Sequence, residues 1–238
     1  MFMSFPDIII LAGGLGTRLK SELGNLPKAM APINGKPFLE YLLDYINNAG
    51  FQRVILSTGY QSESIQSFFK DQYRSIEIEY SKESEPLGTG GAIKLAVRKV
   101  TTPYFIVMNG DTMFRIDLQK FFQKHVEQLA EVTLALRKVQ DASRFGLIEC
   151  NNSGIIESFR EKTDTHQAGL INGGIYILKT KFFKKQNFPE KFSFEKDWLQ
   201  KNSNTGVIRG QLFDNYFLDI GIPEDYKKAH SEFHAFKD

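Results

Sequence analysis

Apolar positions recur along the first half of the chain in two alternating rhythms. Asp7 to Ala12 carries a short, nearly unbroken apolar run that predicts a buried strand, and it ends in a glycine turn. From Phe38, apolar side chains return at Leu39, Leu42, Leu43 and Ile46, the stripe of a helix that stops at Gly50. Arg53 to Ser57 predicts the next strand, and Ile65, Phe68 and Phe69 mark a helix behind it. Ile76 to Tyr80 alternates like a strand, Gly91 to Val100 reads as a helix, and Tyr104 to Met108 as another buried strand. Strands separated by helical segments predict an α/β fold with a mostly parallel, Rossmann-like sheet covered by helices on both faces.

The second half is richer in strands. Val132 to Val139, Gly146 to Cys150, Ile155 to Phe159 and Gly174 to Leu178 follow one another closely, which predicts some antiparallel pairing. Ser193 to Gln200 predicts a helix, Tyr216 to Ile220 a late strand, and Pro223 opens a last helix at the first-turn position that proline tolerates. No Pro/Ser-rich linker or repeat divides the chain, so residues 1–238 read as a single domain of two lobes.

Composition narrows the function classes. The 238 residues are 42% hydrophobic and 24% charged, the balance of an ordinary globular protein. Thirty basic residues against 28 acidic ones leave a formal charge of +2, which does not point to nucleic acid. The single cysteine, Cys150, permits no intrachain disulfide and fits a reducing compartment. The opening MFMSFPDIIILAGG lacks the basic segment of a signal peptide, and no stretch approaches the roughly 18 apolar residues of a membrane span. The expectation is a soluble, cytoplasmic protein without membrane contact. Oligomeric state is not legible; a homo-oligomer is compatible with the sequence.

The strongest local chemistry is the turn Leu11-Ala12-Gly13-Gly14-Leu15-Gly16-Thr17-Arg18-Leu19. Its glycines let backbone N–H groups approach an anion, and Arg18 adds a permanently charged donor. The plainer alternative is a tight strand-to-helix turn with an incidental arginine. Neither a P-loop nor a dinucleotide fingerprint is present, because Leu19 stands where each needs its last glycine. Asn109-Gly110-Asp111 ends a predicted buried strand, where ligands gather in open α/β sheets. Asp219 sits just ahead of the Pro223 helix. Each aspartate, taken alone, could be a turn or cap residue. His230 and His234 have helical zinc spacing but no third ligand, and Cys150 reads as strand filler.

Taken together, LAGGLGTRL followed by LPKAMAPI resembles the sugar 1-phosphate nucleotidyltransferase family, whose signature is a G-x-G-T-R-[ML] loop followed by Pro-Lys. The likeness covers nearly the whole chain. It is closest to the small guanylyltransferases acting on D-glycero-α-D-manno-heptose 1-phosphate, through LAGGLGTRLKS, PKAMAPINGKPFLEYLL, EPLGTGGAIK, GLINGGIYILK, KFSFEKD and DIGIPEDY.

The resemblance implies a GT-A-like fold, with residues 1–111 mainly binding the nucleotide and 112–238 mainly the sugar phosphate. It implies nucleotide contacts from Leu11, Ala12, Gly13, Gly14, Gly16, Thr17, Arg18, Glu85, Gly88, Thr89 and Asp111. The sugar phosphate would meet Gly146, Glu161, Lys162, Asn172 and Gly173. Catalysis would fall to Arg18, Lys28, Asp111 and Lys162, and Mg2+ to Asp111 and Asp219, in keeping with that ion's preference for one or two carboxylates plus substrate phosphates.

The implied reaction transfers a nucleoside monophosphate, GMP from GTP, to a sugar 1-phosphate, the heptose, and releases pyrophosphate. A phosphate monoester is largely dianionic at neutral pH, so it needs no general base and attacks the α-phosphorus directly. The product would feed assembly of a bacterial surface polysaccharide. Rival readings are a mannose-, glucose- or N-acetylmuramate 1-phosphate enzyme, or a non-catalytic nucleotide-sugar sensor. Arg18, Lys28, Asp111 and Asp219 argue against the sensor, and Asp111-Thr112-Met113 lacks the D-x-D of a glycosyltransferase.

Overall fold

A computed structural model describes residues 5–14, 16, 19–24, 26–160 and 166–236. After β1 (Asp7–Leu11) come a short helix α1 (Lys20–Leu23), the ribbon β2 (Pro32–Ile33) and β3 (Lys36–Pro37), and α2 (Phe38–Asn48). Next are β4 (Arg53–Thr58), α3 (Ser62–Phe69), β5 (Gln72–Tyr73), β6 (Ile76–Lys82), α4 (Gly88–Ala96), β7 (Tyr104–Asn109), β8 (Thr112–Phe114) and α5 (Leu118–Glu127). The remainder holds β9 (Val132–Val139), β10 (Leu147–Cys150), β11 (Ile156–Arg160), β12 (Gly169–Lys179), α6 (Thr180–Lys185), a π-helical turn at Phe194–Leu199 leading into α7 (Gln200–Asn202), β13 (Ile208–Phe213), β14 (Phe217–Asp219) and α8 (Pro223–Glu232).

The main sheet runs β11-β10-β12-β7-β1-β4-β6-β5, and β9 pairs with β12 and β13 off this path. β7, β1, β4 and β6 are parallel, as the alternating strand and helix pattern predicts. The side chains of β1, β4 and β7 are buried on both faces, whereas β6 alternates, with Ile76 and Ile78 buried and Glu77 exposed. Ile8 and Ile10 join one core with Val54, Leu56 and the α2 stripe, whereas Ile9 joins the other with Ile55, Phe105 and Val107. α2 ends where Gly50, at φ +82°, follows its last turn and donates its N–H to the Asn47 carbonyl.

The second half is antiparallel where β12 meets β7, β9 and β10. β12 is longer than its apolar run Gly174 to Leu178 predicts, because it begins at Gly169. Its pairing with β9 shifts between Asn172 and Tyr176, a bulge centred on Gly173 and Gly174. No helix among the described residues is long and apolar enough to cross a membrane.

Candidate active site

β1 and β7 run side by side and end together, with Leu11 opposite Asn109. The chain leaves β7 through Gly110, whose N–H donates to the Leu11 carbonyl at 3.1 Å. A Cβ there would lie 2.6 Å from that same oxygen, so only glycine lets the turn press against β1. Asp111 follows directly. β8 then pairs with β14, placing Thr112 opposite Asp219, and the Ile220 N–H donates to the Asp111 carbonyl at 3.0 Å. This small ribbon brings two aspartates 108 positions apart in the chain to one point.

Lys28 fills the space between them. It starts a one-turn 3-10 helix after Pro27 and is only 8% exposed. Its ammonium lies 2.5 Å from Asp111 Oδ2 and 3.7 Å from Asp219 Oδ1. Gly221 clears room for it, since a Cβ there would come within 3.1 Å of Lys28 Nζ and 2.6 Å of Asp219 Oδ1. Burial, and then the neighbouring Asp111 charge, raise the Asp219 pKa; Lys28 and the Gly221 N–H act in the opposite direction.

Two cavities meet at this cluster. The larger, about 780 Å³, is walled by Leu11, Gly13, Gly14 and Gly16 on one side and by Glu83, Glu85, Gly88 and Thr89 on the other, with Asp111 at its floor. The smaller, about 270 Å³, is lined by Asn172, Gly173, Phe145, Arg144 and Asp219 among others. Asn109 and Glu195 line both. The glycine turn is thus one wall of a cavity and not a bare connection. Gly13 packs against Gly59 and Glu83, and Gly16, at φ +59°, lies over Lys28. Ala12 is buried behind this wall, its N–H donated to the Ser57 carbonyl at 2.8 Å.

On the other side, Asn172 shapes the β12 bulge. Its Oδ1 accepts the Gly174 N–H at 3.0 Å, and its Nδ2 donates to the Tyr176 hydroxyl at 2.6 Å. Gly146, at φ +78°, sits in the turn before β10, next to Phe145 of the smaller cavity. Thr17, Arg18, Glu161 and Lys162 lie outside the described residues.

Several cavity residues are not singled out by the sequence. Glu83 accepts the Leu87 N–H at 2.9 Å and its pKa is raised by burial. Its place at the end of β6, two residues before Glu85, is the only hint of it. Glu195, Tyr176 and Arg144 belong to the same group. Glu195 sits inside the KFSFEKD segment, yet nothing in that string says which cavity it faces.

The donor set at the cluster suits a divalent cation. Two carboxylates already gather around one positive charge, the Lys28 ammonium, and both open toward the cavities. Among the described residues, no group of three or more His, Cys, Asp or Glu could hold a metal on its own. A cation here would therefore complete its shell with ligand oxygens, as magnesium does with substrate phosphates.

The nucleotidyl transferase family matches residues 7–235. The D-glycero-alpha-D-manno-heptose 1-phosphate guanylyltransferase of Aneurinibacillus thermoaerophilus is 48% identical over 226 residues, covering 95% of this chain and 97% of that protein. The enzyme of the same description from Campylobacter jejuni is 47% identical over 218 residues, with coverages of 92% and 96%. Among solved structures, HddC from Yersinia pseudotuberculosis complexed with GMP-PN superposes with a TM-score of 0.85 at 42% identity, covering 96% of this chain and all of that one.

Proposed function

Because the chain belongs to the nucleotidyl transferase family, we propose that it joins GTP to D-glycero-α-D-manno-heptose 1-phosphate, forming the GDP-sugar and releasing pyrophosphate. The observation that carries this reading is the Lys28 ammonium held between Asp111 and Asp219 where a nucleotide-sized cavity opens into a smaller one. Such a junction suits two phosphorylated substrates whose reacting ends must meet.

The larger cavity takes GTP. Gly13, Gly14 and Gly16 border the triphosphate, with Arg18 supplying charge as the family resemblance implies. Glu83 supports guanine over uracil or thymine. Guanine presents two adjacent N–H donors that match a carboxylate, whereas the pyrimidines offer one N–H flanked by acceptors. The smaller cavity takes the sugar, with Asn172, Gly173, Glu161 and Lys162 as its contacts. The sugar phosphate arrives as a dianion, so no residue has to remove a proton.

Lys28 offers its ammonium to the phosphate oxygens gathered at the junction, offsetting the repulsion between the two anions. Mg2+ held by Asp111 and Asp219, when bound, neutralises phosphate charge and makes the α-phosphorus more open to attack. The reaction is a direct displacement without a covalent enzyme intermediate.

The test is pyrophosphate release with GTP, UTP and dTTP, each paired with the heptose, mannose and glucose 1-phosphates. GTP with the heptose phosphate is expected to be the best pair by kcat/KM, and excess EDTA to abolish the signal. Release of no pyrophosphate from any pair, or undiminished release in EDTA, overturns the reading.

A further inference from the structure

Glu195 stands at the junction without a part in the chemistry described. It lines both cavities from the turn after Ser193. By charge alone, a carboxylate bordering two phosphorylated ligands repels both. What it contributes must come through the groups it holds.

Those groups are hydroxyls, and they lie on opposite walls. On one side, Glu195 Oε2 accepts from Thr89 Oγ1 at 2.5 Å and from Ser193 Oγ at 3.0 Å. Thr89 belongs to the first turn of α4, a wall of the larger cavity, and its Oγ1 also accepts the Phe194 N–H at 2.9 Å. Close packing reinforces this seam, because the Gly90 and Gly91 N–H groups both donate to the Phe192 carbonyl. On the other side, Glu195 Oε1 accepts from the Tyr176 hydroxyl at 3.1 Å. Tyr176 is fully buried, and its hydroxyl accepts from Asn172 Nδ2 at the bulge of the smaller cavity. The Gly174 N–H holds Asn172 from its far side, so the amide orientation is set. A continuous line of hydrogen bonds thus runs Thr89–Glu195–Tyr176–Asn172, from one wall to the other.

We propose that Glu195 is a positioning residue that couples the two pockets, so that occupation of either one orders the wall of the other. The proposal rests on the two-substrate reading above. The physical basis is that one rigid carboxylate serves both walls. A ligand that settles Thr89 fixes Oε2, and with it the direction of Oε1 toward Tyr176 and Asn172. Coupling of this kind is reciprocal: each ligand tightens the other by the same factor.

The test measures binding by calorimetry at fixed Mg2+, using the unreactive α,β-methylene analogue of GTP and the heptose 1-phosphate, each alone and with the other saturating. In the wild-type protein each ligand is expected to tighten the other by about tenfold, within the usual range for coupled sites. Glu195→Ala is expected to bring that factor to about one. Glu195→Gln is expected to keep most of it, because its carbonyl still accepts from Tyr176 while the Thr89 and Ser193 hydroxyls can turn to accept from its amide.

A residue that only supports the fold would weaken both separate affinities and leave their ratio unchanged. Should Glu195→Ala fail to fold, Tyr176→Phe and Thr89→Val each cut one arm and are expected to remove the coupling singly. Uncoupled binding in the wild type, or full coupling in Glu195→Ala or in either single-arm variant, overturns the proposal. If neither ligand binds the wild type, the two-substrate reading itself fails, and the coupling with it.

Discussion

At the scale of single residues, the junction is governed by three charges in contact. Lys28 compensates two carboxylates at once, and Asp219 depends on it the more because burial and Asp111 both disfavour its ionised form. Removing one member unbalances the rest. Asp111→Ala is expected to lower turnover by at least ~100-fold, the scale of losing an electrostatic stabiliser, with pyrophosphate release as the measurement. Glu83 makes a separate prediction about choice of base. Glu83→Gln removes a charged acceptor from guanine and is expected to lower kcat/KM for GTP by about 10- to 100-fold, the range of one charge-assisted hydrogen bond, while UTP changes little. Asp111 and Lys28 were legible beforehand because short motifs, Gly-Asp and Pro-Lys, carry them. Glu83 was not. Glutamates abound near strand ends, and the resemblance points to Glu85; the approach of Gly13 and the Leu87 N–H that Glu83 accepts single it out.

At the scale of elements, short ribbons and tight turns decide where those residues point. β8, three residues long, is too short for an apolar rhythm to reveal, and the rhythm that marks Tyr216 to Ile220 as a strand does not say what β14 pairs with, yet the pairing of β8 with β14 unites Asp111 with Asp219. The turn after β14 tests this. A methyl at Gly221 would meet the Asp219 carboxylate and the Lys28 ammonium, both ends of side chains that can move aside. Gly221→Ala is therefore expected to leave the melting temperature nearly unchanged while turnover falls about 100-fold, the effect of displacing reacting groups by about an ångström. Calorimetric melting beside the pyrophosphate assay separates the two effects. The β12 bulge has a similar logic. The apolar rhythm marks only Gly174 to Leu178 as strand, but the ladder to β9 resumes on the far side of the bulge and extends the strand back to Gly169, which puts Asn172 in the lining of the smaller cavity.

At the scale of the whole molecule, one large sheet carries both cavities, and its stability contains a pH-sensitive contact. His125, on α5, is fully buried against β9, with Nδ1 2.7 Å from Thr133 Oγ1. Burial, helped by the Lys179 charge, lowers its pKa to about 4. An unfolded histidine titrates near 6.5, so as pH falls below that value the unfolded chain takes up a proton that the folded one refuses. This contribution is whole above about pH 6.5, and its loss is complete once pH has fallen past the folded value. Urea unfolding at pH 7 and pH 5 is expected to differ by about 2 kcal/mol more in the wild type than in His125→Asn. An equal difference in the two proteins would contradict the assignment.

The order of strands and helices in the first half, the parallel core and the reaction class could all be read from the chain, because each depends on local rhythm or on motifs of a few adjacent residues. The junction could not. Lys28 between two aspartates, the bulge that aims Asn172, and the line from Thr89 through Glu195 to Tyr176 join residues that are distant along the chain, and backbone pairing and packing alone decide that they touch.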